Sequence, residues 1–227
     1  EKPIATNLSD AKKAIQVAKK HGSMLLINHM RRFDPELKKL GNYFKVKKFG
    51  AIQLVRALYV NGLLNNGTHT IDLLRWYLGD IEWVSARKNE HAAFTHENDY
   101  NADAILQFKS GTRGIMQSLD AKSYYLFEQQ FYGTKSAVML KNLSLAVEIV
   151  PVKKESPENI LPHLDYPKTM YSGNESRSFF KYMVSHIVKC LDGTEKPAST
   201  GEDGYKALEV LIAIRKSAEQ GSKQIWI

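Results

Sequence analysis

Two segments of the sequence, far apart along the chain, carry residues whose types suit chemistry on an oxygen atom. The first is Lys2-Pro3. Because the residue before a proline is held in an extended conformation, the Lys2 ammonium has a restricted direction. A lysine held in this way could hydrogen-bond a substrate oxygen and stabilise the negative charge that develops on it. The alternative interpretation is a solvated lysine that precedes a turn.

The second segment begins at Gly67 and contains His69 and Asp72. Glycine and threonine at the start of a predicted helix place both residues in its first turn, where free N–H groups favour an anion. His69 shares one helix face with Leu73 and Trp76, so it lies at the margin of a core. A neutral imidazole there suits a general base at about pH 7. The alternative is a histidine that caps its helix or satisfies a buried contact, and Asp72 is interpreted as an acid favourable to the helix dipole.

The other chemistry-bearing residues predict less. Cys190 lies in an amphipathic helix and is interpreted as a core thiol. No GxGxxG or Walker glycine loop occurs, so the chain as given is not predicted to bind a dinucleotide alone. One group of acids and histidines in a predicted turn matches no metal-site spacing, and no metal is expected there: Glu90, His91, His96, Glu97 and Asp99.

Composition narrows the class of protein. The chain has 227 residues, 43% hydrophobic and 25% charged, which is ordinary for a globular domain and excludes a disordered chain. No stretch approaches the ~18 apolar residues that span a bilayer. A single cysteine fits a reducing, cytoplasmic setting. The net charge of +8 raises nucleic acid as a partner, but the basic residues are scattered apart from Lys45, Lys47 and Lys48, so that partner is not favoured.

The first elements look like the end of a βαβ domain. A helix capped by Ser9 or Asn7 runs to a glycine stop at Gly22. The apolar run from Met24 to Ile27 follows, which is typical of a parallel strand buried on both faces. A second helix is predicted from about residue 36 to residue 48.

The rest of the chain predicts a largely antiparallel sheet with helices. Residues 151–174 hold four prolines and are predicted to be a surface loop. The first of two C-terminal helices carries an apolar stripe formed by Phe180, Met183, Val184, Ile187 and Leu191, and the second carries one formed by Ala207, Leu211, Ile214 and Ala218. The predicted strands cover residues 52–60, 81–89, 102–108, 113–119, 127–132, 137–141, 145–150 and 224–227, with one helix over 67–78. The fold class is α+β.

Five segments together resemble the Gfo/Idh/MocA oxidoreductases, in the order in which that family has them. They are EKPIA at the start, INHMRRFDPELKKL, NNGTHTIDLLRWYLGDIEWVSA, YGTKSAVML, and STGEDGYKALEVLIAIRKSAEQG near the end. The resemblance covers nearly the whole chain. It implies that residues 1–30 are the last helix and strand of an NAD(P)-binding Rossmann domain, of which roughly 100 preceding residues are absent.

The resemblance also implies the fold and activity of the remainder. Residues 31–227 would be a substrate-binding and oligomerisation domain with an open, mostly antiparallel mixed sheet, similar to the C-terminal domain of dihydrodipicolinate reductase. The implied activity is NAD- or NADP-dependent oxidation of a hydroxyl on a sugar, a cyclitol or a nucleotide-sugar. A homodimer or homotetramer through the open sheet is expected, and this chain alone is expected to be inactive.

The site residues are implied in the same way. Lys2 would contact both the substrate hydroxyl and the nicotinamide, with Pro3 beside it at the cofactor, and His69 would be the acid/base. Substrate contacts are expected from Arg32, Asn65 and Asp72.

Asn65 departs from the family pattern. Many members have an aspartate at this position, four residues before the histidine. An amide cannot exchange a proton, so Asn65 could orient a substrate but could not act as a base. Some nucleotide-sugar dehydrogenases of the family also lack the aspartate, which favours such substrates slightly. The alternative is a non-catalytic sugar-binding or oligomerisation module of the same fold.

Overall fold

A computed structural model describes residues 1–45, 49–89, 99–153, 162–173 and 178–227. The helices in these ranges are α1 (Leu8–Lys20), α2 (Pro35–Lys45), α3 (Thr68–Leu78), α4 (Phe179–Leu191) and α5 (Gly201–Glu219), with a 3-10 helix at Met30–Phe33 and a π-helix at Gly62–Gly67. The strands are β1 (Ile52–Tyr59), β2 (Ile81–Asn89), β3 (Asn101–Phe108), β4 (Arg113–Ser118), β5 (Phe127–Gly133), β6 (Ser136–Lys141), β7 (Ala146–Lys153), β8 (His163–Leu164), β9 (Lys168–Ser172) and β10 (Ile225–Trp226).

The strands form one mixed sheet, as predicted. Its order is β10-β2-β3-β4-β1-β5-β6-β7-β8, and β9 also pairs with β7. Only β1 and β4 pair in parallel among the described strands. A parallel pair requires a crossover rather than a hairpin, and here the chain between β1 and β4 contains the π-helix, α3, β2 and β3. The α3 helix therefore lies inside a crossover, with the π-helix directly before it and β2 directly after it.

Helices cover one face of the sheet and leave the other face open. The α5 helix packs on β2 and β3, and α3 packs on α5. Along β1, Val55, Ala57 and Tyr59 are fully buried, whereas Arg56 is exposed. Because side chains alternate along a strand, the register places Arg56, Ile115 and Ile105 in one row across three strands on the open face. Ile105 and Ile115 are 52% and 37% exposed.

Two predicted elements differ from the structure. The run from Met24 to Ile27 is not a strand buried on both faces: it makes a single β-bridge, from Leu26 to Thr200, and Met24 is 42% exposed. The described part of the chain supplies only residues 199–200 as an edge for it. The predicted loop over residues 151–174 contains the end of β7 together with β8 and β9, because the backbone of that segment pairs with the free edge of β7.

The α4 helix also packs differently from its apolar stripe. Phe180, Val184 and Leu191 are 68%, 42% and 71% exposed. The helix instead buries His186, whose ring stacks on Phe33 with ring centroids 4.9 Å apart. Polar partners make this burial acceptable, since the backbone N–H of Ala198 and the carboxylate of Glu195 both contact the His186 ring, along with Cys190 Sγ at 3.3 Å.

No helix in the described ranges combines the length and the apolar character needed to cross a membrane.

Candidate active site

The fold brings Lys2 to the segment before α3. Lys2 Nζ donates a hydrogen bond to the backbone oxygen of Asn65 at 3.0 Å and another to its side-chain Oδ1. The Lys2–Pro3 peptide bond is cis. Partial burial lowers the pKa of the Lys2 amine, and the charge of Arg31 lowers it further. The predicted aimed lysine therefore contacts Asn65, one of the predicted substrate residues.

The start of the helical segment is closed by Asp99. The carboxylate of Asp99 accepts hydrogen bonds from the backbone N–H groups of Leu64 and Asn65 at 3.0–3.1 Å. Gly62 has φ of +91°, and a Cβ there would overlap the same carboxylate, so this position requires glycine.

The free helix N-terminus predicted at Gly67 is therefore wrong. Gly67 already has helical backbone angles, because the π-helix over residues 62–67 runs directly into α3. The first free N–H groups lie at the start of the π-helix, where Asp99 occupies them. His69 accordingly has no open helix end beside it that could receive an anion.

His69 is the chemically available group of the site. Its side chain is 5% exposed, and none of the described residues makes a hydrogen bond to its ring. Burial lowers the pKa of His69 well below its ordinary value, and the charges of Arg31 and Lys2 lower it further. The imidazole is therefore neutral at physiological pH, which leaves a lone pair able to accept a proton.

Asp72 lies at the centre of a buried charge network. Its carboxylate contacts Arg32 through two pairs of atoms, Nη2–Oδ1 at 2.8 Å and Nε–Oδ2 at 3.0 Å, and its Oδ1 lies 2.9 Å from Nδ1 of His29. Burial alone would raise the pKa of Asp72, but His29 and Arg32 outweigh it and lower that pKa. Asp72 is thus an ionised partner of two side chains rather than only the dipole acid expected at a helix start.

Arg32 is occupied by groups of the protein. Besides Asp72, it contacts Asp203 Oδ1 at 2.9 Å and donates to the backbone oxygen of Ala198 at 3.1 Å. Burial lowers the pKa of Arg32 by itself, and the two carboxylates outweigh it, so the pKa is raised. The predicted substrate residues Arg32 and Asp72 therefore bind each other, and Asn65 binds Lys2.

Three further residues lie at the site that the sequence did not single out: His29, Arg31 and Tyr125. The ring of His29 faces that of His69 edge-on, with centroids 6.3 Å apart, and its buried Nε2 has no partner among the described residues. The Tyr125 hydroxyl hydrogen-bonds the side-chain amide of Asn66 at 2.8 Å. Two of these residues had one sequence signal each: Arg31 lies in the MRRF segment, and His29 lies directly before it.

The segment that carries His29 and Arg31 is held against the N-terminus of α5. The backbone N–H of Ile27 donates to the carbonyl of Ser199 at 3.0 Å. Thr200 and Asp203 form a capping box at the start of α5. A Cβ on Gly204 would lie 2.8 Å from Ile27 Cγ1, so glycine permits this close approach. The capping residue Asp203 also contacts Arg32, which links this helix end to the site.

Most of the weaker sequence candidates lie outside the residues that the structure describes. Glu90, His91, His96 and Glu97 lie outside the described residues, as do Lys47 and Lys48. Within the residues that the structure describes, no group of three or more histidine, cysteine or acidic residues could hold a metal ion. Cys190 is only partly buried rather than a core thiol, and burial raises its pKa.

Comparison with known proteins gives one consistent result. A family model described as the C-terminal alpha/beta domain of an oxidoreductase family matches residues 62–226. Myo-inositol 2-dehydrogenase from Thermotoga maritima is 26% identical, over 97% of this chain and 70% of that protein. The scyllo-inositol 2-dehydrogenase (NAD(+)) of Bacillus subtilis is 23% identical, over 97% of this chain and 68% of that protein.

A solved structure shows the same fold. The WlbA dehydrogenase from Bordetella pertussis, in complex with NADH and UDP-GlcNAcA, superimposes with a TM-score of 0.75 at 20% identity, over 100% of this chain and 70% of that one. Because the family model covers most of the chain, the resemblance drawn from the five segments is confirmed. The chain belongs to the Gfo/Idh/MocA family of oxidoreductases and contains its C-terminal α/β domain.

Proposed function

We propose that the protein oxidises a hydroxyl of a sugar, a cyclitol or a nucleotide-sugar with NAD or NADP, and that Lys2 and His69 carry the chemistry. The observation that supports this most is the pairing of a partly buried ammonium with a buried, neutral imidazole that none of the described residues hydrogen-bonds. An alcohol oxidation requires such a pair, because one group must receive the hydroxyl proton while another stabilises charge on the oxygen.

The roles follow from the charges of the two groups. His69 accepts the hydroxyl proton, since its lowered pKa keeps the ring neutral. Lys2 donates a hydrogen bond to the same oxygen as negative charge develops, and Asn65 holds the ammonium in place. The hydrogen on the substrate carbon leaves as hydride, with the two electrons of its bond.

A bound nicotinamide would supply the acceptor for that hydride. The residues present fit this cofactor, because Lys2 and Pro3 precede α1 and bring a cation to the same place as a neutral base. We assign residues 1–30 to the end of the nucleotide-binding domain. Two curated relatives are longer than this chain, which spans 70% and 68% of them. In this assignment residues 31–227 form the substrate domain, and the 227-residue chain alone is inactive.

Arg32 and Asp72 contribute to substrate binding indirectly in this proposal. Both are held by protein partners, so they fix the position of α3 and with it His69. The single free cysteine, Cys190, is compatible with a cytoplasmic setting.

The open face of the sheet supports assembly into a homodimer or homotetramer. Ile105 and Ile115 lie side by side there and are substantially exposed, and adjacent exposed apolar side chains favour association. This surface is also the observation that favours the second candidate function, a non-catalytic module that binds sugar or assembles through its sheet.

Turnover distinguishes the two candidates. The full-length protein would be incubated with NAD or NADP and a panel that contains myo-inositol, scyllo-inositol and a nucleotide-linked uronic acid, and formation of the reduced cofactor would be followed. Oxidation of at least one compound supports the dehydrogenase if it is lost in Lys2→Met and His69→Gln but kept in Lys12→Gln, at an exposed position of α1. Absence of cofactor binding and of turnover would favour the module.

A further inference from the structure

Arg31 is a buried cation without an ionic partner among the described residues. It is 7% exposed, yet no described carboxylate lies within ion-pair distance of its guanidinium. Its neighbour Arg32 has two such partners, Asp72 and Asp203. A guanidinium taken out of water without a counter-ion is strongly unfavourable unless something compensates it.

Within the described ranges, the contacts of Arg31 leave the two terminal nitrogens of its guanidinium without a hydrogen-bond partner. The guanidinium carbon lies 3.6 Å from the centre of the Phe127 ring, which covers one face of the plane, and 5.6 Å from the centre of the more distant Phe179 ring. Nε donates to Ser144 Oγ at 3.3 Å. Neither terminal nitrogen, Nη1 or Nη2, hydrogen-bonds any described residue. A guanidinium binds carboxylate and phosphate oxygens through donors that lie in its plane, and stacking on a ring leaves that plane free.

Arg31 belongs to the proposed active site. It lies two residues after His29, whose ring faces that of His69, and its positive charge lowers the pKa values of His69 and Lys2. The carboxylates of this region are already engaged: Asp72 contacts Arg32 and His29, and Asp99 accepts from the backbone of the π-helix. Arg31 therefore has no carboxylate in direct contact among the described residues, although the charges of Asp72 and Glu1 act from a distance on Arg31 and Lys2 respectively.

We infer that Arg31 binds an anionic group, a carboxylate or a phosphate, on the molecule that enters this site. This step rests on the proposed function, because that function makes the bound molecule a substrate. It means that the protein prefers an acidic or phosphorylated sugar to a neutral one. The substrate supplies the counter-ion that Arg31 lacks. Arg31 thus acts in specificity, while Lys2 and His69 act on the hydroxyl.

Equilibrium binding tests the inference without any use of turnover. The probes are D-glucuronate, D-glucose 6-phosphate, D-glucose and inorganic phosphate, titrated into the full-length protein at constant ionic strength. One of the two anionic sugars should bind about 10- to 100-fold more tightly than D-glucose, the range expected for a charge-assisted hydrogen-bonded contact. Which of them binds identifies the anion as carboxylate or phosphate.

Substitutions at Arg31 assign the preference to this residue. Arg31→Gln should remove it, and Arg31→Lys should reduce it, because an ammonium keeps the charge but loses the two-pronged geometry. Lys216→Gln, at an exposed position of α5, removes the same charge elsewhere and should leave the preference intact. If Arg31→Gln does not fold, the comparison of Arg31→Lys with wild type still decides the question.

Several results would overturn the inference. The first is equal affinity for D-glucose and both anionic sugars, and the second is a preference that survives in Arg31→Gln or is unchanged in Arg31→Lys. The others are binding of inorganic phosphate as tight as that of the sugars, and no binding of any probe. Failure of the proposed function has a different signature, since it would leave the anion preference measurable while no compound reduces NAD or NADP.

Discussion

Nδ1 of His29 lies 2.9 Å from Oδ1 of Asp72, and both side chains are at most 2% exposed. This contact joins the segment that carries Arg31 to the helix that carries His69. Arg32 strengthens the connection, because it contacts Asp72 on α3 and Asp203 on α5. The proposed base, His69, is thus positioned by a buried charge network whose members are held by other groups of the protein.

Breaking this network should strongly destabilise the protein. Asp72→Asn leaves the Arg32 charge with a weaker partner in a buried environment, and removal of one member of a buried ion pair costs about 3–5 kcal/mol. Glu209→Gln is the matched control, since the side chains of the Lys206–Glu209 pair are 47% and 24% exposed, far more than those of the Arg32–Asp72 pair, and such a pair should contribute less than about 1 kcal/mol. The measurement is the free energy of unfolding in urea. A loss in Asp72→Asn no larger than in Glu209→Gln would contradict the account of the network.

The lowered pKa of His69 predicts a pH dependence of stability. In the unfolded chain the ring binds a proton below about pH 6.5, whereas the folded protein resists protonation because the site is buried and positively charged. Between the two pKa values the unfolded state binds more protons than the folded state. Titration of His69 therefore leaves the free energy of unfolding unchanged above about pH 6.5 and lowers it as the pH falls below that value.

The contribution of His69 to this pH dependence is measured by comparing wild type with His69→Gln. The melting temperature of His69→Gln should fall less steeply than that of wild type between about pH 6.5 and pH 5, because glutamine does not titrate. His21→Gln, at the exposed end of α1, should follow the wild-type curve. Parallel curves for wild type and His69→Gln would show that the ring is not held neutral by the fold.

The Asp99 cap should be needed for the π-helix that precedes α3. In Asp99→Asn one acceptor oxygen is replaced by an NH₂ group that faces backbone donors, so the N–H of either Asn65 or Tyr100 loses its partner. The expected loss is about 1–3 kcal/mol, measured by urea denaturation. Asp192→Asn, at an exposed position after α4, should change little. An unchanged midpoint in Asp99→Asn would mean that the cap does not stabilise this segment.

The open sheet face should control assembly. A glutamate at Ile105 or Ile115 places a charge among apolar side chains of any interface formed there, and burying an unpaired charge is strongly unfavourable. Ile105→Glu should therefore be monomeric by light scattering at concentrations where wild type is oligomeric. Val188→Glu on α4, where the native side chain is 50% exposed, should keep the wild-type mass. A wild-type mass for Ile105→Glu would place the interface elsewhere.

Periodicity and turn residues predicted most of the fold. The strands from β1 to β6 fall within a few residues of their predicted ranges, because alternating burial and the glycine turns between them are local properties. The π-helix at residues 62–67 was not predictable in this way. It depends on Asp99, which lies 34 and 35 residues away from the two N–H groups that it accepts.

The site was predicted less completely than the fold. Lys2 and His69 stood out because their local sequence restricts them, but the roles of Arg31 and Arg32 cannot be separated from sequence. They are adjacent and chemically identical, and only the tertiary partners differ: two carboxylates for Arg32, and an aromatic ring and a serine hydroxyl for Arg31. The apolar stripe of α4 led to a wrong expectation for a similar reason, since two polar partners of His186, Glu195 and Ala198, lie after the helix.

The most direct test of the central claim is a double-mutant cycle on Lys2 and His69. The quantity is kcat/KM for oxidation of the preferred sugar by the full-length protein as wild type, Lys2→Met, His69→Gln and the double variant. Each single change should reduce kcat/KM by about 100- to 10,000-fold. If the two groups act on one oxygen, the double variant should lose little more than the worse single variant. Losses that multiply, or a single variant with wild-type activity, would contradict a shared chemical centre.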